Sequence, residues 1–381
     1  MRNLAICKRF AVVAELSSAW RHAGWSVSEF REAGELSSLP ERPSFVFDVN
    51  FHEELHAACV ELGMPYLVWS FDSGVADAIL RTAKKSLRST DFFFLFNSQD
   101  VKRLSSYHQN VWHLPFSAGD EFMRAPGASP IKFDVLIVMN SYRDSVFLSE
   151  KRFEETLLAS SDEFSRKKLV LIKNIMDEAV RRHADILSED RMPLIVEELI
   201  AACGFNPFEE NASQKDSLCQ QYGQILSSRQ RETCLRLIAS GGRKVSLYGD
   251  RNWLEIANGL PNVSWNPPCA YSQLPDLYNA AKINVNLTQI QNLGSVPQRI
   301  FHLLAAGAFT LSNASEELES IFKGGVHLET FSSWSQLDDL VAYYLGHEEE
   351  RLEIARRGHE EFLSRHRLAN RLSFILKNTA L

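Results

Sequence analysis

Cysteine is sparse in this chain: six among 381 residues, none of them in C-x-x-C spacing. That argues against a paired metal or redox motif, and in a chain this long Cys7, Cys59, Cys203, Cys219, Cys234 and Cys269 read as reduced, mostly buried thiols of a cytoplasmic protein. Long apolar runs are missing as well. No stretch reaches the roughly 20 residues that a membrane-spanning helix needs. The opening MRNLAICKRFAVVAEL is too short and too broken by charge for a signal peptide with a cleavage site. Positive charge is not in surplus. Lys and Arg number 41 against 48 Asp and Glu, a net charge of −7, which argues against bulk attraction to nucleic acid or anionic lipid. Short-period repeats and low-complexity tracts are absent. What remains is a globular composition, 45% hydrophobic and 23% charged, in a chain long enough for two domains.

The first part alternates short apolar strands with helices. Strands are expected at Ser44–Val49, Pro65–Phe71, Asp91–Phe96, Val111–Leu114 and Phe133–Met139, with a helix at Phe51–Leu62. Near-continuous apolar runs such as DFFFLF suit strands covered on both faces, and the βαβα rhythm predicts a parallel sheet flanked by helices. From about Ser149 to Ser240 the pattern is helical, interrupted by a loop at 204–213. The rhythm resumes with strands at Lys244–Tyr248, Val263–Trp265, Ile283–Leu287 and Ala308–Leu311, and a helix at Ser272–Ala281. A helical tail follows from Ser335 to about Lys377. This predicts an α/β protein in four parts: a Rossmann-like domain at 1–148, a helical connector or insertion at 149–240, a second Rossmann-like domain at 241–364 and a terminal helix at 365–381.

The stretch Asn292–Asn313 carries the clearest chemistry. Gly294 frees the backbone, and Ser295 followed by Gln298 reads as a capping box that starts a helix. Pro297 is tolerated in a first turn, and Gly307 ends the helix before a buried strand. A helix start opening from a glycine loop favours anions. Arg299 and His302, one turn apart, are expected on the exposed side, with Ile300, Leu303 and Leu304 facing a sheet. An anion at a helix start flanked by arginine points to phosphate, and in this architecture to a nucleotide.

The C-terminal half resembles the GT-B glycosyltransferases related to the spore-maturation protein CgeB. The resemblance lies in KVSLYGDRNW (244–253), NVSWNPPCAYSQLPDLYNAAKINVNLT (262–288), GSVPQRIFHLLAAGAFTLSN (294–313), ELESIF (317–322) and ARRGHEEFLSRHRLANRLSFIL (355–376). The N-terminal half is similar to the leading domain of these proteins in PSFVFDVNF, ELGMPYLVWSFDS, NVWHLPFSAGD and FDVLIVMNSYRD. The resemblance implies two Rossmann-like domains facing a cleft. The C-terminal domain would hold a nucleoside-diphosphate sugar and the N-terminal one a hydroxyl acceptor, with the last helix crossing back. The family usually reads Arg-x-Phe-Glu where this chain has Arg299-Ile-Phe-His302. His302 would then donate a hydrogen bond or, if protonated, contact phosphate; it also opens the reading of an altered donor or an inactive binding protein.

Sugar transfer from such a donor requires that the departing diphosphate be neutralised. The chain contains no Asp-x-Asp with which a metal would do this, so Arg299 and the helix start are expected to act without metal or other cofactor. Loops beyond strand carboxyl ends are where open α/β sheets bind ligands. That nominates Asn140 and Ser141, Gly249 and Asp250, and Tyr271, alongside Gly294, Ser295 and Gln298, with ordinary turn and packing roles as the alternative. Asp72, ending PYLVWSF, is the candidate base for the acceptor proton, should the reaction invert; His113 reads as core. A rival motif, His52-Glu53-x-x-His56, fits the H-E-x-x-H zinc pattern. Its place after a strand and the packing stripe Leu55, Ala58, Cys59, Leu62 argue for an ordinary helix. The sugar, base, acceptor and oligomeric state are not legible.

Overall fold

The computed structural model describes residues 2–10, 12–160, 162–209 and 212–379, and omits the side chains of Ala212, Ser213 and Gln291. Glu210 and Asn211 of the expected loop, and Ala380 and Leu381 of the expected tail, lie outside the described residues. Two six-stranded parallel sheets with flanking helices form the chain. It divides into two units: Met1–Met123 with Gly294–Ala305 and Glu360–Leu381, and Arg124–Leu293 with Ala306–His359.

In the first unit the strands are β1 (Asn3–Cys7), β2 (Ser26–Phe30), β3 (Phe45–Val49), β4 (Tyr66–Trp69), β5 (Asp91–Leu95) and β6 (Val111–His113), ordered β2-β1-β3-β4-β5-β6. The strand order reverses between β1 and β3. Every residue of β3 and β4 is buried, as their apolar runs require when both faces are covered. One face packs Leu4, Trp20, Phe45, Trp69 and Phe94 with Leu368, Leu372 and Ile375 from the tail. The other packs Val46, Leu55, Cys59, Val68 and Phe93. The tail is not one helix. It runs as helices Trp334–Gly346 and Glu348–Glu361, a π-helical turn at Phe362–His366, and a last helix Leu368–Thr379. The Arg371 guanidinium, buried under that turn, donates to the Phe116 carbonyl at 3.0 Å.

The second unit holds β7 (Phe133–Val138), β8 (Val245–Tyr248), β9 (Val263–Asn266), β10 (Ala281–Asn286), β11 (Thr310–Asn313) and β12 (Glu329–Phe331), ordered β12-β11-β10-β7-β8-β9. This corrects the expected boundary at 148. β7 does not close the first sheet; it pairs with β8 and β10 at the centre of the second, because Val135 and Ile137 belong to the core of Leu247, Ile283, Val285 and Leu311. Between β7 and β8 the chain forms the helices Arg143–Ala159, Glu163–His183, Met192–Cys203 and Ala212–Ser240. This segment has a core of its own around Ile175, Met176, Val196 and Leu226, and the end of its long helix adds Cys234, Leu235 and Ile238 to the core of the second sheet. Among the described residues no helix is long and apolar enough to cross a membrane.

Candidate active site

In the second unit Asn140 and Ser141 lie beyond the carboxyl end of β7, and Gly249 and Asp250 beyond that of β8. Ser141 donates from both its backbone N–H and its hydroxyl to the Asp250 carboxylate, the latter at 2.7 Å, and the Asn252 N–H donates to the same carboxylate at 3.1 Å. Asp250 is thus the tie between two strand ends. Gly249 serves packing: an added Cβ would meet the Met139 carbonyl oxygen and come within 2.8 Å of Trp253. Tyr271, at a short 3₁₀ turn beyond β9, keeps 43% of its surface exposed, so it does not fill the core.

Sequence reading missed Arg231, on the long helix Ala212–Ser240. Its guanidinium donates to the Asn140 carbonyl at 2.6 Å and reaches the Leu287 carbonyl at 3.5 Å, so one buried cation joins the ends of β7 and β10, where the order of this sheet reverses. It also lies 4.3 Å from the ring centre of Tyr142, whose backbone is left-handed at φ 59°. A polar cavity of about 460 Å³ opens nearby, lined by Arg143, Asp144, Ser228, Arg229, Asn252 and Glu255 among others.

In the first unit the helix of the Asn292–Asn313 stretch runs Gln298–Ala305. It starts two residues later than a Ser295 cap requires, and Ser295 is itself buried. Gln298 therefore opens the helix rather than closing a capping box with Ser295. The helix ends as expected, with Gly307 left-handed at φ +61°, where a Cβ would come within 2.7 Å of the Arg124 carbonyl. Arg299 is half-buried and makes no hydrogen bond or ion pair among the described residues. His302 is not on an exposed side: it is 5% exposed and stacks on Phe122, with ring centres 3.9 Å apart and planes 9° from parallel. Burial, with the Arg299 charge adding to it, pushes its pKa down to about 3. A neutral imidazole at ordinary pH removes the expectation of a protonated His302 on phosphate.

Asp72 follows β4 on an exposed loop. Asn50, left-handed at φ 64° at the end of β3, donates to its carboxylate at 2.7 Å and accepts from the Phe71 and Asp72 N–H groups at 2.6 and 3.1 Å. Asn97, beyond β5, donates to the Ser73 hydroxyl at 3.1 Å, and its side chain lies against Gly294. The Ser98 N–H donates to the Gly294 carbonyl at 3.2 Å. The loops that carry Asp72 and Arg299 are therefore joined through Asn97. Asn50 and Asn97 were not nominated from sequence; an asparagine closing an apolar run (FVFDVN, FFFLFN) was the available signal.

The His52 and His56 imidazoles do not share a site. His52 precedes its helix, which runs Glu53–Glu61, and meets Asp48 at 2.9 Å, while His56 meets Asp91 at 3.1 Å and Glu53 is exposed. Asp91 also binds Arg88 at 2.6 Å; burial raises its pKa, and the bonds from His56 and Arg88 outweigh that and hold it below the usual range. His113, on β6, meets the Phe96 carbonyl at 3.1 Å.

Comparison with known proteins fits this architecture. Residues 229–377 match the family model described as glycosyl transferase-like. A comparison with curated protein sequences gives no match. Among solved structures, sucrose-phosphate synthase from Thermosynechococcus elongatus aligns over 99% of this chain and 98% of its own, with 9% identity and a TM-score of 0.56. Anabaena HepE, solved with UDP and glucose, aligns over 100% and 99%, with 8% identity and a TM-score of 0.56. T4 phage BGT, solved with UDP and Mn2+, aligns over 100% of both chains, with 8% identity and a TM-score of 0.51. Residues 229–377 are thus similar to the glycosyl transferase-like family, and the chain as a whole has the GT-B fold.

Proposed function

We propose that the chain is a CgeB-like glycosyltransferase that works without metal. It moves a sugar from a nucleoside-diphosphate donor to a hydroxyl on a glycan, protein or small molecule. Arg299 carries the reading. A half-buried guanidinium with no hydrogen bond or ion pair among the described residues, one residue inside a helix start, is a cation left for an anion, and a leaving diphosphate is such an anion. The residues proposed to contact the donor are Asn140, Ser141, Gly249, Asp250 and Tyr271 in the second unit and, taken separately, Gly294, Ser295, Gln298 and His302 in the first. Gly249 and His302 would act among them by shaping backbone and packing. A base for the acceptor proton belongs to the carboxyl edge of the first sheet, where Asp72 is the carboxylate nominated from sequence. The solved complexes of HepE with UDP-glucose and with UDP and glucose favour a UDP-sugar donor. Six free cysteines support a cytoplasmic setting.

Thermal stability against a panel of nucleoside diphosphates and their sugars, with and without EDTA, tests this. One nucleotide should raise the melting temperature, equally with EDTA present, and lose the effect in Arg299→Ala. No response to any nucleotide refutes the donor site. The buried neutral His302, where related enzymes usually carry glutamate, favours a second reading: a binding protein that keeps the donor and has lost turnover. Donor binding without sugar release to any acceptor distinguishes it.

A further inference from the structure

Asp48 is an acidic residue in an otherwise apolar strand, FVFDV, and is 1% exposed. Burial pushes its carboxyl above the usual range, against the opposing pull of His52, Tyr66 and Arg9. Two donors meet the same oxygen of Asp48: the Tyr66 hydroxyl at 2.6 Å and His52 Nδ1 at 2.9 Å. Burial and Asp48 keep the Tyr66 phenol protonated, so it stays a donor. With that oxygen accepting in both bonds, the His52 tautomer that fits has its N–H at Nδ1 and Nε2 as the acceptor nitrogen. Nε2 has no hydrogen-bond partner among the described residues, and the side chain is 23% exposed. The Phe10 ring beyond β1 lies 6.1 Å from the imidazole, and the charged and titratable groups that act on Asp48 beside it are Tyr66 on β4, Cys7 on β1 and Arg9 beyond β1. His52 stands beyond β3, beside the place where the strand order reverses, which is where open α/β sheets take ligands. Two residues earlier on the same loop, Asn50 holds Asp72.

We propose that His52 is the base that takes the proton of the acceptor hydroxyl, with Asp48 and Tyr66 as the residues that position it. The inference rests on the transferase reading above. The acceptor O–H bond breaks and its proton passes to Nε2. The freed electron pair of that oxygen forms the bond to the sugar's anomeric carbon. The bond from that carbon to the diphosphate breaks, and its pair leaves on the nucleoside diphosphate, whose charge Arg299 meets. The proton on His52 then returns to solvent. A displacement of this kind inverts the anomeric centre.

The test compares two acceptors, using as donor the nucleotide sugar that stabilises the wild-type chain. One acceptor is 4-nitrobenzyl alcohol, which needs a base. The other is 4-nitrothiophenol, which is ionised at neutral pH and needs none. His52→Ala and His52→Gln should lose about a hundredfold or more in transfer to the alcohol and stay within a few-fold on the thiol. Added imidazole should restore part of the alcohol reaction in His52→Ala. Asp48→Asn should lower kcat for the alcohol more than for the thiol. Equal losses on both acceptors in a His52→Gln protein that unfolds at the wild-type urea concentration would give His52 a structural role and overturn the proposal. So would wild-type rates in both His52 variants, or an alcohol-selective loss in Asp72→Asn alone. A wild-type chain that binds the donor and transfers to neither acceptor refutes the transferase reading, and this inference with it.

Discussion

Replacing His302 with phenylalanine should flatten the acid side of the stability profile. The imidazole is 5% exposed, lies flat on Phe122, and has its pKa pushed by burial from 6.5 down to about 3. Above pH 6.5 the ring is neutral folded and unfolded, so its full contribution is present. As pH falls below 6.5 only the unfolded chain takes up the proton, and stability drops by up to about 1.4 kcal/mol per pH unit until the folded pKa is reached. From pH 6.5 to 5 that amounts to about 2 kcal/mol, a sizeable part of a typical domain's stability. Phenylalanine keeps an aromatic ring against Phe122 and does not titrate. Urea unfolding of both proteins at several pH values between about 7.5 and 5 reads the difference in slope, since every other group titrates alike in both. Parallel profiles would refute a neutral, buried His302.

Three further changes have defined outcomes. Arg299→Ala should abolish the stabilisation by nucleotide while shifting unliganded stability by no more than about 0.5 kcal/mol, because the side chain is half-buried and makes no hydrogen bond or ion pair among the described residues; calorimetric melts with and without nucleotide measure both. Gly249→Ala should destabilise by roughly 1–3 kcal/mol or more, since the new methyl meets the Met139 carbonyl and Trp253, and a urea midpoint near wild type would show that the loop yields. A fragment of residues 241–364 should not unfold cooperatively by circular dichroism. It lacks β7, which lies between β8 and β10, and it lacks the core residues Leu187, Cys234, Leu235 and Ile238.

The strands that sequence reading recovers are those with apolar runs. Asp91–Leu95 and Thr310–Asn313 lie within about two residues of expectation, because a strand buried on both faces has no polar alternation to blur it. β1, β2 and β12 escape it. NLAIC sits in an opening weighed only as a targeting signal, SVSEF is largely half-exposed and polar, and Glu329–Phe331 is three residues long. Which sheet a strand joins is a long-range property: nothing in FDVLIV says whether its partners lie before it or over a hundred residues after it. The candidate site divides in the same way. Ser141 and Asp250 follow strands and are legible from position. Arg231 sits mid-helix among other charged residues, and Asp48, His52 and Tyr66 come together only once β3 and β4 are paired.

The identity of residue 302 bears on Arg299 through charge. The two side chains are three residues apart on one helix, and the Arg299 charge is felt at the imidazole. A glutamate at 302 would bring a carboxylate to within reach of that guanidinium and either pair with it or be held ionised by it. A neutral, stacked imidazole does neither. It satisfies the packing against Phe122 and brings no charge to the guanidinium, which has no ion pair among the described residues. A protonated imidazole would add a like charge, but burial forbids that form at ordinary pH. Of the three charge states that position 302 can hold, the one this chain adopts leaves the positive field of Arg299 and the helix start whole, which is the arrangement that a doubly charged leaving group would use.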